Sequence, residues 1–249
     1  MEAMILAAGE GTRLRPLTDR IPKALVPVRG RPLIAHVMDR LVAAGATHLV
    51  VNTCRHADAI ADFLQRNAPP GVAFSFHDEP DGPYDTGGGL LAAGPLFRRD
   101  GPFLLHAVDV LSRIPLEELL SRHRAARAGG GARVVATLAV QDRAARRRLL
   151  FDAEGLVGWE ERGSDGAVRD QLEGRAAAGP VARWGFAGVH VVEPAIFDLP
   201  HPPGRFPMVG WYLELVRRGY RVVPADVTGH PWLDVGTPER LAEAEAGAW

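Results

Sequence analysis

Apolar positions in the first half of the chain come in two alternating kinds of segment. AMILAA at 3–8 is a short unbroken apolar run that stops at Gly9, the pattern of a strand buried on both faces. PLIAHVMDRLVAA at 32–44 opens on Pro and sets Leu33, Val37, Leu41 and Ala44 along one helical face, with Gly45 as its stop. HLVVN (48–52), VAFSF (72–76), PFLLHAV (102–108) and RVVATLAV (133–140) read as further strands. Between them HADAIADFLQRN (56–67) and LEELLSRHRAARA (116–128) read as helices, the first stopped by Pro69-Pro70 and the second by three glycines. This strand–helix succession predicts an α/β, Rossmann-like three-layer fold, with a mostly parallel central sheet and helices on both faces.

The second half is less regular. LLFDAEGLVGWEE (149–161) reads as a hairpin about Glu154-Gly155. Residues 163–183 are polar, rich in Gly and Ala and weakly patterned, which predicts a mobile loop. FAGVHVV (186–192) reads as a strand and VGWYLELVRRG (209–219) as a helix; YRVVPA, PWLDV and PERLAEAEA follow as strand, strand and helix. There is no internal repeat and no long linker, so a single domain over 1–249 is expected.

Composition narrows the class. Asp plus Glu number 30 against 29 for Lys plus Arg, a net charge of -1, which argues against bulk electrostatic binding to nucleic acid or an anionic membrane. One Cys excludes an intrachain disulfide framework and a four-Cys zinc site. No apolar run approaches the roughly 18 residues of a membrane span, and the N-terminus lacks the basic start and long apolar core of a secretory signal. A soluble, cytoplasmic protein is expected, as a monomer or small homo-oligomer. The basic residues are 28 Arg and 1 Lys. Codon bias accounts for most of that imbalance. It still singles out Lys23, because a compact ammonium and a planar guanidinium are not interchangeable at every phosphate site.

The richest segment is MILAAGEGTRLRPLTDRIPKALVPV at 4–28: a strand, a glycine-bearing turn, two arginines, then Pro-Lys. Gly9 and Gly11 allow close backbone approach and offer N–H groups to phosphate oxygens. Arg13 and Arg15 can pair with phosphate bidentately, and Lys23 adds a point charge. The pattern describes a phosphate cradle at the carboxyl edge of a parallel sheet. It is not a Walker A loop, since no G-K-[ST] follows, nor a dinucleotide fingerprint, since Leu14 stands at the third glycine position.

G-E-G-T-R-L-R-P-L-T followed by P-K-A-L-V-P-V resembles the sugar-1-phosphate nucleotidyltransferases, and among them the short bacterial uridylyltransferases that use N-acetylmuramate 1-phosphate. The resemblance extends over the chain: Glu79-Pro80 followed by Asp85-Thr86-Gly87-Gly88-Gly89 looks like the family's base- and ribose-binding loop, and Val108-Asp109-Val110, Phe186-Ala187-Gly188 and Trp232-Leu233-Asp234-Val235-Gly236-Thr237 match further landmarks. It implies a nucleotide-binding core at 1–140 and a sugar-phosphate part at 141–249, without the C-terminal β-helix of longer relatives. It implies nucleotide contacts from Leu6, Ala8, Gly9, Gly11, Thr12, Arg13, Asn52, Thr86, Gly87 and Gly88. Lys23, Ala187, Gly188 and Glu160 would serve the sugar phosphate. Arg13 and Lys23 would be catalytic, and Asp109 and Asp234 would share a Mg²⁺. The substrates would be a nucleoside triphosphate, with UTP favoured over GTP or a thymidine nucleotide, and a sugar 1-phosphate. One departure stands at His106-Ala107-Val108, where many relatives carry an Asn-Gly pair.

The chemistry is self-consistent. The attacking sugar-phosphate oxygen is already anionic, so alignment and charge neutralisation matter more than a general base. Several residues also have plainer readings. Arg15 fits a rim ion pair as well as a ligand, and Asn52 fits a turn. Asp109 could cap a helix, whereas Thr237 before Pro238 is the better cap beside Asp234. Cys54 reads as inert. Arg146-Arg147-Arg148 reads as a solvated face, with one arginine able to reach the substrate phosphate. Two rivals remain. Gly87-Gly88-Gly89-Leu90-Leu91-Ala92 fits G-x-G-x-x-[GA] with Asp109 about 20 residues on, but the polar HDEPDGPYDT before it is no buried strand. A regulatory relative without activity would be expected to lose Arg13, Lys23 or an aspartate, and all are present.

Overall fold

The computed structural model describes residues 1–130, 133–247 and 249. In chain order the elements are β1 (Glu2–Leu6), β2 (Pro27–Val28), β3 (Arg31–Pro32), α1 (Leu33–Ala43), β4 (His48–Thr53), α2 (Ala57–Arg66), β5 (Ala73–Asp78) and α3 (Asp85–Ala92). Then come β6 (Phe103–Ala107), β7 (Val110–Ser112), α4 (Leu116–Gly130), β8 (Val134–Gln141), β9 (Arg147–Asp152), β10 (Gly155–Arg162) and β11 (Val168–Glu173). The last are β12 (Ala182–Val192), α5 (Met208–Arg217), β13 (Arg221–Asp226), β14 (Trp232–Asp234) and α6 (Pro238–Glu245). The third of the glycines expected to close α4, residue 131, lies outside the described residues.

The sheet body runs β5-β4-β1-β6-β12-β8-β13, and only β12 opposes the common direction. Strand alternation divides the core into two layers. Ala3, Ile5, Leu49, Val51 and Leu104 face α1, α2 and α4. Met4, Val50 and Leu105 face the other way, toward Leu90 of α3 and Trp211, Tyr212 and Leu215 of α5. This is the three-layer α/β arrangement that the apolar runs imply.

β12 is long because it serves two neighbourhoods. Its first residues, Ala182–Trp184, pair with β9, and its last pair with β6 and β8. The register shifts between Phe186 and His190, where Gly188 takes φ 73. A bulge of this kind bends the strand and splays the sheet. The β9–β10 hairpin and β11 extend from that bend.

Two expectations need correction. Residues 163–183 are not a mobile loop: Val168–Glu173 pairs antiparallel with β10, and β12 begins at Ala182. The order comes from outside the segment. Buried Asp152 accepts from Arg175 Nη1 at 2.8 Å and from the Ala178 N–H at 2.8 Å, which pins 175–178 onto the hairpin. Composition carried no sign of that partner. Likewise Asp85–Gly89 opens a helix rather than a loop. Three glycines oppose a helix by about 1 kcal/mol each relative to Ala. Tertiary contacts override that preference, because the N–H groups of Gly87 and Gly88 both donate to the Phe206 carbonyl. The same geometry disposes of the dinucleotide fingerprint, which requires a strand immediately before the glycines.

Candidate active site

The carboxyl ends of β1, β4 and β6, with the segment after β5, open on a cleft of about 380 Å³. This is where parallel sheets bind ligands. Its wall includes Leu6, Ala8, Gly9, Lys23, Asn52, Glu79, Thr86, Ala107 and Asp109. Asn52 and Glu79, 2% and 0% exposed, stitch the floor together. Asn52 Oδ1 accepts from the Ala7 N–H at 2.9 Å, and its Nδ2 donates to Glu79 Oε1 at 2.8 Å. Glu79 Oε2 accepts from the Tyr84 N–H at 2.5 Å. A β-carbon on Gly89 would stand 2.7 Å from both Asn52 Nδ2 and Glu79 Oε1, so the glycine lets α3 close over this network.

The charged corner is assembled from three distant stretches of sequence. Gly11 has φ 65, and a β-carbon there would meet Thr18 Cγ2 at 2.9 Å and Lys23 Cβ at 3.1 Å. The loop therefore folds tightly back, and Thr18 Oγ1 donates to Gly11 O at 2.8 Å. That packing leaves Lys23 8% exposed, with Nζ donating to Asp109 Oδ2. Asp109 and Asp234 meet because β14 pairs antiparallel with β7, Asp234 opposite Val110, and the Val235 N–H donates to Asp109 O at 2.8 Å. A satellite core of Val26, Val28, Leu111, Leu233 and Val235 sits beneath that pairing. Arg13 reaches the same place. A β-carbon on Gly236 would stand 2.6 Å from Arg13 Nη2 and 2.8 Å from Asp234 Oδ1.

Asp234 Oδ1 is buried and has no hydrogen-bond partner among the described residues. Burial and the neighbouring Asp109 push the Asp234 carboxyl above the usual range, while Lys23, Arg13 and Arg143 pull it down. Two adjacent carboxylates, one with an unsatisfied buried oxygen, are costly unless a cation answers them. Arg143 supplies part of that charge. It lies 3.9 Å over the Trp232 ring and donates from Nη2 to Phe186 O at 2.9 Å.

A second cavity of about 490 Å³ shares Leu6, Asp85, Thr86 and Ala107 with the first. Its remaining wall is largely apolar, including Leu149, Trp159, Phe186, Met208 and Val209. Gly188 lines it as well, because a β-carbon there would strike Val110 Cγ2 at 2.9 Å. His190 at the wall is neutral: burial lowers it to about 3, and its Nδ1 bonds the Tyr212 hydroxyl at 3.1 Å.

Most sequence-selected residues meet at these two cavities. Leu6, Ala8, Gly9, Asn52 and Thr86 line the first, and Thr86 Oγ1 also accepts from the Met208 N–H at 2.9 Å. Thr12 is exposed on the turn that carries Arg13. Gly87 and Gly88 lie buried against Phe206 and Gly204, beside the cleft rather than on its wall. Ala187 is buried, and its carbonyl accepts from Trp232 Nε1 at 2.8 Å. Glu160 is placed elsewhere. At 3% exposed it pairs with Arg162 and Arg183 and lines neither cavity. The strand period explains this, since Glu160 and its neighbour Trp159 must take opposite faces. Arg15 pairs with Asp19 on the surface. Thr237 Oγ1 caps α6, leaving Asp234 free of that task. His106 is wholly buried, so the departure at 106–108 presents Ala107 and Val108 to the cleft. Glu79, Arg143 and Trp159 were not selected as site residues. The Glu79-Pro80 landmark points at the first, and a tryptophan at 159 is expected from sequence in the core or a pocket wall, as it is found; Arg143 becomes visible only once β8 and β12 are paired.

Comparison with known proteins agrees with this fold. The nucleotidyl transferase family profile matches residues 2–147. An N-acetylmuramate α-1-phosphate uridylyltransferase from Neisseria meningitidis is 34% identical over 259 residues, covering 100% of both chains. A mannose-1-phosphate guanylyltransferase from Mycobacterium tuberculosis is 29% identical over 99% of this chain and 64% of its own. Among solved structures, a UDP-glucose pyrophosphorylase from Acinetobacter baumanii superposes with a TM-score of 0.76 at 18% identity, over 99% of this chain and 92% of the other. Among the described residues no helix is long and apolar enough to cross a membrane. With a phosphate-loop motif, an α/β sheet and full-length relatives in agreement, this chain belongs to the nucleotidyl transferase family, as a sugar-1-phosphate nucleotidyltransferase.

Proposed function

We propose that the enzyme transfers the uridylyl group of UTP to a sugar 1-phosphate of the N-acetylmuramate type and releases pyrophosphate. The observation that carries this reading is the convergence of Arg13, Lys23, Asp109 and Asp234 at one end of a cleft whose other end opens into an apolar, sugar-sized cavity. The full-length match to a uridylyltransferase favours UTP over GTP, since the guanylyltransferase relative is covered for only 64% of its length.

A phosphate oxygen of the sugar substrate attacks the α-phosphorus, and the bond to the oxygen bridging the α- and β-phosphorus breaks as pyrophosphate departs. No proton need be removed from the nucleophile, so this chain's residues act by placement and charge. Exposed Gly9 borders the cleft with no protein atom within 4 Å of its missing β-carbon, leaving room for the triphosphate. The Arg13 guanidinium, without a hydrogen-bond partner among the described residues, stabilises charge on the departing pyrophosphate. Lys23 lines the cleft beside Asp109, where its ammonium neutralises a transferring phosphate. Residues 1–140 supply this corner except for Asp234, and most of the second cavity comes from 141–249.

Asp109 and Asp234 would hold Mg²⁺. Among the described residues no third acidic, His or Cys side chain joins them, which suits a hard ion that keeps waters and binds substrate oxygens. When bound, the ion offsets the negative charge of the phosphates. Activity should therefore vanish in excess chelator and return with added Mg²⁺. The reading is tested by a pyrophosphate-release screen of four nucleoside triphosphates against a panel of sugar 1-phosphates. UTP should dominate. Dominant release with GTP and mannose 1-phosphate overturns the assignment of base and sugar.

A further inference from the structure

Three consecutive arginines, 146–148, stand at the start of β9, and the strand period separates them. Arg146 and Arg148 line a surface depression with Arg162 and Arg169. Arg147 turns to the second cavity and lines it beside Trp159. Its guanidinium lies 5.7 Å from the centroid of the Trp159 ring. Glu161 Oε2 accepts from Arg147 Nε at 2.8 Å, and the same carboxylate also pairs with Arg146. Two guanidiniums on one carboxylate leave a net positive charge. Among the described residues the terminal nitrogens of Arg147 have no hydrogen-bond partner.

That cation is unusual in its setting. The charged side chains on the cavity wall are Asp85 and Arg147, and Asp85 Oδ1 is already engaged by the Thr86 N–H at 2.6 Å. His190 carries no charge. A neutral hexose would cover the aromatic wall but offer nothing to a guanidinium. The 1-phosphate is no candidate partner either. Its transfer requires Arg13, Lys23 and the aspartate pair, which lie with the first cleft beyond Leu6 and Ala107, whereas Arg147 belongs to the second cavity alone.

We propose that Arg147 is the residue that selects the ring-substituent carboxylate of an N-acetylmuramate-type sugar 1-phosphate. Glu161 orients the guanidinium through Nε and leaves its terminal nitrogens pointed at the ligand's carboxylate, the fork geometry for two parallel hydrogen bonds. This inference rests on the sugar 1-phosphate reading and names the residue that discriminates among such sugars.

The test compares N-acetylmuramate 1-phosphate with N-acetylglucosamine 1-phosphate, which differ by one lactyl ether and its carboxylate. The wild-type enzyme should favour the acidic sugar by about tenfold or more in kcat/KM, the size expected of a charge-assisted hydrogen-bonded pair at a partly exposed site. Arg147→Gln should erase that preference through KM, and Arg147→Lys should restore only part of it. The Arg147 side chain is 68% exposed, so the substitutions do not open the core, and an unchanged melting temperature checks this. Equal losses on both sugars after Arg147→Gln, or a wild-type enzyme indifferent to the carboxylate, overturn the inference while the transferase reading stands. Absence of pyrophosphate release with every triphosphate and sugar pair overturns both.

Discussion

The two cavities that share Leu6 and Ala107 are built from different materials. The first is made of strand ends, glycine turns and charge: Lys23 against Asp109, Arg13 against Asp234. The second is made of the faces of antiparallel strands: Trp159, Leu149 and Phe186, with one cation at its edge. The first repeats the demands of phosphoryl chemistry, which are the same whatever sugar arrives. On the proposed reading the second has no reaction to run, so its shape and its single guanidinium are free to decide which sugar stays. The proposed function thus separates reaction from selection within one sheet, at the bend of β12.

The sharpest way to break this comparison is to disarm the first cavity alone. Lys23→Ala should lower turnover by at least about 100-fold while far-UV circular dichroism and melting stay close to wild type, because a preorganised cation beside a transferring phosphate is worth that much. Normal turnover in the folded variant would falsify the assignment of this corner. A pair of glycine substitutions follows. Gly89→Ala pushes a methyl onto Asn52 and Glu79 and should cost about 1–3 kcal/mol in denaturant titration, with activity falling alongside. Gly9→Ala meets no protein atom and should leave stability intact while raising KM for the triphosphate. Equal stability of the two variants would show that the packing around α3 is looser than described. In the second cavity, Trp159→Ala should raise KM for the sugar 1-phosphate by about tenfold and spare KM for UTP. Parallel rises in both constants would dissolve the division between cavities.

The smallest effect concerns pH. Burial lowers His106 to about 4 and His190 to about 3, so both stay neutral in the fold while the unfolded chain takes up protons near pH 6.5. The unfolded state then binds more protons between pH 6.5 and 4. Stability from this source is complete above pH 6.5 and declines as pH falls. Melting temperature should drop by several degrees from pH 7 to pH 5, with the ring Cε1 proton shifts of both histidines unmoved. A titration midpoint near 6.5 for either ring contradicts this.

What could be read from sequence follows the range of the interactions involved. The parallel strands and α1, α2 and α4 announced themselves because each buries a periodic apolar face, and Gly11 and Lys23 because their motif is contiguous. The meeting of Asp109 and Asp234 is implied by the resemblance and allowed by the apolar strand before each; physically it depends on the β7–β14 register. Three features were hidden for specific reasons. The pairing of β11 is supplied by a polar backbone edge and by the Asp152–Arg175 contact, neither of which leaves an apolar pattern. α3 is helical against the preference of its glycines, since Phe206, over 100 residues later, receives their N–H groups. The resemblance implies Glu160 at the sugar, whereas the alternation of β10 turns it away and delivers Trp159 instead.

The most direct measurement is diffraction from crystals grown with Mn²⁺ and a UTP analogue whose α–β bridge is methylene. Manganese scatters anomalously and substitutes for Mg²⁺ on oxygen ligands. The account predicts an anomalous peak within coordination distance of both Asp109 and Asp234, with the triphosphate lying along Gly9 toward Arg13 and Lys23. Metal bound away from that carboxylate pair, or a triphosphate seated in the aromatic cavity, contradicts it.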